Sequence, residues 1–311
     1  MKEETILLGN RRSLVGVLTH PAEHARFKRG IGVLLLNAGI VHRVGPGRIY
    51  VKIARELAAR GFTVFRFDFS GIGDSKIRHD DLPFHKSAVE ETRCAIDLLQ
   101  AEYGIGRFLL LGGCSGARVS LDTASIDTRV CGAILINFPS PEEDGNPDPD
   151  SVMRRNSHYV LNFAVRNGKS WRRFFAGQAD YKKLVSMVLF EIRRRVFPRS
   201  NGFVEGAGFR ALLESLLERG VHPIFVCSSG DARLQDLRQL GGKAFKRMCV
   251  EGKIDLTIVP RSDHTFSSLF DHARLINIIR QKAEIVERSA YARKQLTSVA
   301  PASVPVGSLN V

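Results

Sequence analysis

One short stretch constrains the fold more than any other part of the chain. Over 108–117 the sequence runs Phe-Leu-Leu-Leu-Gly-Gly-Cys-Ser-Gly-Ala. The apolar run predicts a buried strand, and the small residues after it predict a sharp turn leading into a helix. A β-carbon beside such a turn would collide with the neighbouring strand or helix, which explains the glycines. The stretch therefore predicts a strand–turn–helix elbow that presents a nucleophilic side chain.

The elbow motif fits in two alignments, with either Cys114 or Ser115 as the nucleophile. With Cys114, the position two before it is Gly112, and the positions two and three after it are both small. With Ser115, an extra glycine falls inside the strand and Arg118 falls at a tight helix–sheet contact. Both comparisons favour Cys114, although the motif itself permits either residue.

Apolar runs alternate with segments of helical periodicity along most of the chain. The predicted strands lie at 5–8, 13–18, 31–36, 63–67, 108–111, 132–136, 224–228 and 254–259, and the predicted helices at 49–60, 86–103, 209–219, 236–249 and 269–288. Repeated strand–helix alternation favours parallel strands joined by right-handed crossovers. We therefore expect an α/β protein with a doubly wound, mostly parallel sheet.

Composition changes after the strand at 132–136 and interrupts this alternation. Between 151 and 200 there are 12 Lys and Arg but only 2 Asp and Glu, against a net charge of +14 for the whole chain. We interpret 138–204 as a basic helical cap inserted between core segments 1–137 and 205–290, with 291–311 as a disordered tail. Trp171 lies in this cap and is a candidate pocket residue.

The overall composition limits which cellular compartment and which binding partners we expect. No apolar run approaches the ~18 residues of a membrane span, and the first residues have no signal-peptide core. The 5 cysteines show no paired spacing, so we expect a cytoplasmic protein without a metal site or cofactor. The positive charge suggests an acidic partner, but no nucleic-acid motif accompanies it.

Candidate catalytic side chains follow three predicted strands. Cys114 or Ser115 follows 108–111, Asp231 follows 224–228, and His264 follows 254–259. Because active groups collect at the carboxyl ends of strands in open α/β sheets, we expect these side chains to meet. The histidine would take the nucleophile's proton, and the aspartate would hold the imidazole in the required tautomer.

Across residues 5–290 the chain resembles the α/β-hydrolases. The matching motifs are Leu-Leu-Leu-Asn-Ala-Gly at 34–39, Phe-Asp-Phe-Ser-Gly-Ile-Gly-Asp-Ser at 67–75, the elbow, Ser-Gly-Asp at 229–231 and Ser-Asp-His at 262–264. Within that superfamily it is most similar to the serine-aminopeptidase-like and exosortase-associated hydrolases. It departs from their pattern in having Asn37 and Ala38 where His-Gly is common.

The resemblance implies cleavage of an ester or thioester through an acyl-enzyme. The backbone N–H groups of Gly39 and Ser115 would form the oxyanion hole, and His42 and Arg43 could line the pocket mouth. A cysteine nucleophile resembles that of dienelactone hydrolases and of acyl-shuttling transferases with this fold. Acyl transfer to an acceptor other than water is therefore an alternative, in which the basic cap would dock an acidic carrier protein. A non-catalytic binding module with the same fold is a third possibility.

Overall fold

The computed structural model describes residues 1–23, 30–139, 202–231 and 233–298. It contains eight strands: β1 (Glu3–Leu8), β2 (Leu14–Thr19), β3 (Gly32–Leu36), β4 (Thr63–Phe67), β5 (Phe108–Gly113), β6 (Val130–Ile136), β7 (His222–Ser228) and β8 (Asp255–Val259). The helices are α1 (Ile49–Ala59), α2 (Phe84–Tyr103), α3 (Ser115–Ile126), α4 (Gly202–Glu218), α5 (Arg233–Val250) and α6 (Leu269–Ser298). Short 3₁₀ turns lie at Asn10–Arg12 and Pro46–Arg48.

All eight strands form a single sheet in the order β1-β2-β4-β3-β5-β6-β7-β8. β2 pairs antiparallel with both β1 and β4, and the remaining pairs are parallel. The predicted fold class, a mostly parallel α/β sheet, is therefore confirmed. The predicted cap, including Trp171, lies outside the described residues apart from its two ends.

The central strands are buried on both faces, as their continuous apolar sequences predict. Alternate residues of β3 and β5 point to opposite sides of the sheet. Leu34 and Leu110 belong to one apolar cluster, which includes residues of α2, α3, α4 and α5. Leu35 and Leu111 belong to the other, which includes residues of α1 and α6. Helices thus cover both faces and leave the carboxyl ends of the strands to carry the loops.

Helix boundaries differ from the sequence prediction in the second half of the chain. α4 begins at Gly202, so the predicted domain boundary at 204 falls within its first turn. α5 begins at Arg233 and bends at Gly242, where φ is 55°. α6 continues to Ser298, past the predicted helix end at 288 and past 291, where a disordered tail was expected. Residues 289–298 are rich in helix-forming Ala, Arg, Lys and Gln, which accounts for the extension.

No helix in the described ranges combines the length and hydropathy needed to cross a bilayer.

Candidate active site

Cys114 occupies the strained position of the elbow between β5 and α3. Its backbone has φ 53° and ψ −122°, a conformation rarely adopted by residues with a side chain. Its N–H donates to the carbonyl oxygen of Ile136 at 2.9 Å, which ties the turn to β6. Ser115, by contrast, is the first residue of α3.

Two glycines allow this turn because they remove β-carbons from a crowded contact. A β-carbon on Gly112 would lie 2.2 Å from the carbonyl group of Gly116 and 2.7 Å from the nitrogen of Ala117. A β-carbon on Gly116 would lie 2.4 Å from the carbonyl oxygen of Asn37. The two crowded glycines are therefore placed symmetrically, two residues before and two residues after Cys114. This spacing is the one expected from the alignment centred on Cys114.

Asp231 and His264 meet beyond the ends of β7 and β8. His264 Nδ1 lies 2.5 Å from Asp231 Oδ2. Burial acts to raise the pKa of Asp231, but the hydrogen bond from His264 and the nearby positive charges hold that pKa below its usual value. The carboxylate is thus kept ionised and able to orient the imidazole.

His264 also hydrogen-bonds to the side chain of Cys114. Burial acts to lower the pKa of His264, yet the hydrogen bonds with Asp231 and Cys114 outweigh it and raise the pKa to about 9. The three side chains therefore form a connected series, Cys114–His264–Asp231, drawn from three separate strands. Chemically, such a series can act as a nucleophile, a base that accepts the proton of that nucleophile, and an anion that stabilises the charged base.

Arg233 joins this group, and the sequence analysis did not identify it. Its Nη1 lies 3.0 Å from Nδ1 and 3.3 Å from Nε2 of His264, and 3.6 Å from Asp231 Oδ2. Its backbone N–H donates to Asp231 Oδ1 at 3.1 Å. The guanidinium charge opposes the rise in the pKa of His264. Its position two residues after the candidate acid was the only signal available in the sequence.

Asn137 is a second residue that the sequence analysis missed. It is buried, has φ 45°, and follows β6 directly. Its Nδ2 donates to the carbonyl oxygen of His264 at 2.8 Å, and its Oδ1 accepts from the backbone N–H of Ser228 at 2.8 Å. Asn137 therefore fixes the loop that carries His264 against the strand that leads to Asp231. Asparagine tolerates positive φ better than most residues, which was a weak signal for a structural role at a strand end.

The loop after β3 is held by Asn37, which occupies the place where His is common in the resembled family. Asn37 Nδ2 donates to the carbonyl oxygen of Val41 at 2.8 Å and to Asp68 Oδ1 at 3.2 Å. Its Oδ1 accepts from the N–H of Phe69 at 2.9 Å. At the tip of this loop the N–H of Gly39 donates to Ser115 Oγ at 2.9 Å. The two predicted oxyanion residues therefore lie together, with the hydroxyl of one bound to the N–H of the other.

The candidate pocket residues His42 and Arg43 lie on this same loop. The Arg43 guanidinium binds the carboxylates of Asp68 and Asp74, and the backbone N–H of Arg43 donates to Asp68 Oδ1 at 2.5 Å. Atoms that could bind a metal ion lie within 4.8 Å of one another on His42, Asp68 and Asp74. The Arg43 guanidinium, however, already forms ion pairs with both carboxylates. Neither His42 nor Arg43 lines the cavity at Cys114. Their contacts stabilise the loop.

An apolar cavity opens in front of Cys114 and His264. Its walls come from α1, the ends of β5 and β6, the loop after β8, and α6, and the lining side chains include Ile49, Tyr50, Ile136, Asn137, Phe266 and Leu275. Tyr50 is 2% exposed, and its hydroxyl accepts the N–H of Gly113 at 2.9 Å. The cavity suits an apolar group attached to the atom that Cys114 would attack.

The sequence matches the model of the Alpha/beta hydrolase family over residues 33–277. The match spans most of the chain and contains all three members of the series, so this protein belongs to the Alpha/beta hydrolase family. No curated protein matches the sequence.

Solved structures show the same fold at low sequence identity. A Pyrococcus furiosus esterase has a TM-score of 0.56 at 12% identity, with 90% of this chain and 91% of that chain covered. A proline iminopeptidase from Mycobacterium smegmatis has a TM-score of 0.55 at 15% identity, with 93% and 100% covered. An α/β serine hydrolase without a lid, from Xanthomonas campestris, has a TM-score of 0.52 at 13% identity, with 92% and 94% covered. At these identities the likeness establishes the fold.

Proposed function

We propose that this protein cleaves an ester or thioester through an acyl-enzyme formed on Cys114, with His264 as the base and Asp231 as the residue that orients it. The observation that carries the proposal is the strained elbow conformation of Cys114 together with its hydrogen bond to a histidine that is itself bound to a buried carboxylate. The structural neighbours include esterases from Pyrococcus furiosus and Thermogutta terrifontis, which is consistent with ester chemistry.

The reaction would begin from a thiolate–imidazolium pair, in which the proton of the Cys114 thiol resides on His264. The resulting thiolate attacks the substrate carbonyl, and the developing negative charge is bound by backbone N–H groups. His264 then returns its proton to the departing alcohol or thiol, which leaves an acyl group on Cys114 as a thioester. Water, deprotonated by His264, hydrolyses that thioester and restores the thiol.

A raised pKa of about 9 at His264 favours the charged imidazole once it has received the thiol proton. The thiolate also lies at the N-terminus of α3, where the helix dipole favours negative charge. Both effects support a thiolate–imidazolium pair as the attacking form of the enzyme.

The oxyanion hole in this proposal consists of the N–H groups of Ser115 and Gly39. The N–H of Gly39 donates to Ser115 Oγ in the structure, so the Ser115 side chain has to turn away before Gly39 can bind the substrate oxygen. Ser115 would then bind the substrate oxygen through its backbone N–H. Before substrate binds, the Ser115 hydroxyl accepts the hydrogen bond from the Gly39 N–H.

The test is a pair of variants, Cys114→Ala and Ser115→Ala, assayed on panels of esters and acyl thioesters with mass spectrometry of the trapped acyl-enzyme. We expect Cys114→Ala to abolish both turnover and acylation, and Ser115→Ala to retain an acyl group on the Cys114 peptide. Full activity in Cys114→Ala together with loss in Ser115→Ala would assign the nucleophile to the serine instead.

Acyl transfer is a second proposal, and the cysteine favours it. A thioester on Cys114 is close in energy to a thioester donor, so the acyl group could pass to an amine, alcohol or thiol rather than to water. The proposed docking of an acidic carrier protein depends on the basic segment 151–200, which lies outside the described residues. Turnover of carrier-bound substrates that falls steeply with added salt would support the docking, and salt-independent turnover would contradict it.

A further inference from the structure

Tyr50 places a phenol hydroxyl beside the elbow, although it belongs to a different part of the chain. It lies in the first turn of α1, on the face of the sheet covered by α1 and α6. Its oxygen accepts the N–H of Gly113, the residue immediately before Cys114, at 2.9 Å. A β-carbon on Gly113 would lie 3.4 Å from that oxygen. The phenol is therefore fixed against the strand side of the turn.

The hydroxyl still has a proton to donate. A phenol oxygen can accept one hydrogen bond and donate another. Among the described residues, the structure records the bond accepted from Gly113 and none donated by Tyr50. The side chain is 2% exposed, and it lines the same cavity as Cys114 and His264. A buried donor of this kind ordinarily has an acceptor, and the cavity is where one can be supplied.

Burial raises the pKa of the Tyr50 phenol well above its usual value, and negative charge on Cys114 raises it further. The phenol therefore stays protonated over the range in which a thiol titrates. The hydroxyl is bound to the residue next to Cys114, and the two side chains line the same cavity. A neutral hydroxyl fixed next to an ionising sulfur can stabilise the anion by hydrogen bonding.

We propose that Tyr50 is a further catalytic residue, whose hydroxyl donates a hydrogen bond to the sulfur of Cys114 when that sulfur is a thiolate. This inference rests on the proposed role of Cys114 as nucleophile. The proton remains on Tyr50 throughout. The bond strengthens when the thiolate forms from the thiol, and again when the sulfur departs from the acyl group during deacylation. Tyr50 would thus serve both halves of the reaction.

Titratable and charged side chains from two separate parts of the described structure lie near Cys114. His264 hydrogen-bonds to it, Asp231 and Arg233 contact His264, and Tyr50 approaches from α1. The first three form one connected group beyond β7 and β8, whereas Tyr50 is anchored separately through Gly113. Removing the Tyr50 hydroxyl therefore leaves the histidine group in place, which allows the two influences to be measured separately.

The experiment compares wild type, Tyr50→Phe and the matched control Tyr103→Phe, a tyrosine on α2 whose ring lies near His20. Alkylation of Cys114 by iodoacetamide is followed by peptide mass spectrometry from pH 5 to 10, because only the thiolate reacts. We expect the pH midpoint of alkylation to rise by about one unit in Tyr50→Phe, consistent with loss of one hydrogen bond to an anion. Tyr103→Phe should match wild type. An unchanged midpoint in Tyr50→Phe would overturn the proposal and leave Tyr50 as a support for Gly113.

A second measurement tests the proposal if Tyr50→Phe folds poorly. The chain has 5 tyrosines, so the carbon bearing the hydroxyl can be followed by NMR in protein labelled at that position. We expect one tyrosine signal to move as Cys114 ionises in wild type and to stay constant in Cys114→Ser. Constant tyrosine signals in both proteins would overturn the proposal.

Failure of this inference can be distinguished from failure of the proposed function. An acyl group trapped on Cys114 together with an unchanged alkylation midpoint in Tyr50→Phe would overturn only the role of Tyr50. Absence of any acyl group on Cys114, with Ser115 acylated instead, would overturn the proposed nucleophile and, with it, the catalytic role given to Tyr50.

Discussion

The neighbouring glycines Gly112 and Gly113 offer a direct test of how the elbow is built. A β-carbon at Gly112 would lie 2.2 Å from the carbonyl group of Gly116, more than an ångström closer than the ~3.5 Å at which such atoms attract. The obstructing atoms belong to the backbone of the first turn of α3, so the helix would have to move away from β5. Overpacking ordinarily costs about 1–3 kcal/mol, and because backbone is obstructed here we expect Gly112→Ala to cost about 3 kcal/mol or more.

Gly113→Ala is the matched control, one residue away on the same strand. Its β-carbon would meet the Tyr50 hydroxyl at 3.4 Å and the β-carbon of Ala38 at 3.6 Å, both ordinary contacts. Losing a glycine also reduces the entropy of the unfolded chain, which adds about 0.4–1 kcal/mol of stability. We therefore expect Gly113→Ala to change the free energy of unfolding by less than about 1 kcal/mol.

Urea unfolding, followed by circular dichroism, measures both variants, and acylation of Cys114 in each reports whether the elbow still works. If Ser115 stood at the elbow, the crowded position two residues earlier would be Gly113, and the order of the two variants would be reversed. A larger loss of stability in Gly113→Ala than in Gly112→Ala would therefore refute the steric account and the placement of Cys114 together.

Three further predictions concern the residues that hold the site. Asn137→Asp keeps an acceptor for the N–H of Ser228 but cannot donate to the carbonyl oxygen of His264. Because the His264 loop loses this anchor, kcat should fall by about 10- to 100-fold with a smaller change in KM. Steady-state kinetics measures both constants. The pKa of His264 is raised from 6.5 to about 9, so its contribution to stability is present below about pH 6.5 and is lost as the pH rises through about 9. Asp231→Asn should weaken the pH dependence of the free energy of unfolding over the same pH range, as measured by urea unfolding. An unchanged pH dependence in this variant would contradict the raised pKa of His264. Asp68→Asn removes the buried charge that binds Arg43, and should lower the free energy of unfolding by about 3–5 kcal/mol without moving the pH midpoint of Cys114 alkylation.

Much of the fold follows from residue patterns that act locally. The apolar run of β3 is long enough for a strand and too short for an independent helix, and the small residues of the elbow leave few alternatives to a tight turn. The positions of Asp231 and His264 followed from a single rule, that side chains after parallel strands share one edge of the sheet. The structure brings them together at 2.5 Å, although nothing in their local sequences encodes that contact.

The contacts that sequence reasoning missed depend on geometry between elements that are distant in the chain. Asn137 looked like an ordinary residue after a strand, because its partners at the ends of β7 and β8 become neighbours only once the sheet forms. Arg43 looked like a pocket residue because of its position after the oxyanion loop, yet two carboxylates from the loop after β4 bind its guanidinium. The roles of Asn137 and Arg43 depend on the direction of their side chains, which sequence periodicity does not specify.

The way the series Cys114–His264–Asp231 is distributed along the sheet has a consequence for the nascent protein. Cys114 leaves the ribosome long before Asp231 and His264 are synthesised, and β7 and β8 must join the sheet before either can approach it. Until then the cysteine has no base beside it and remains an ordinary, slowly reacting thiol. The reactivity proposed for Cys114 would therefore appear only at the end of folding. The rate at which a small thiol reagent modifies Cys114 would then report when the sheet is complete.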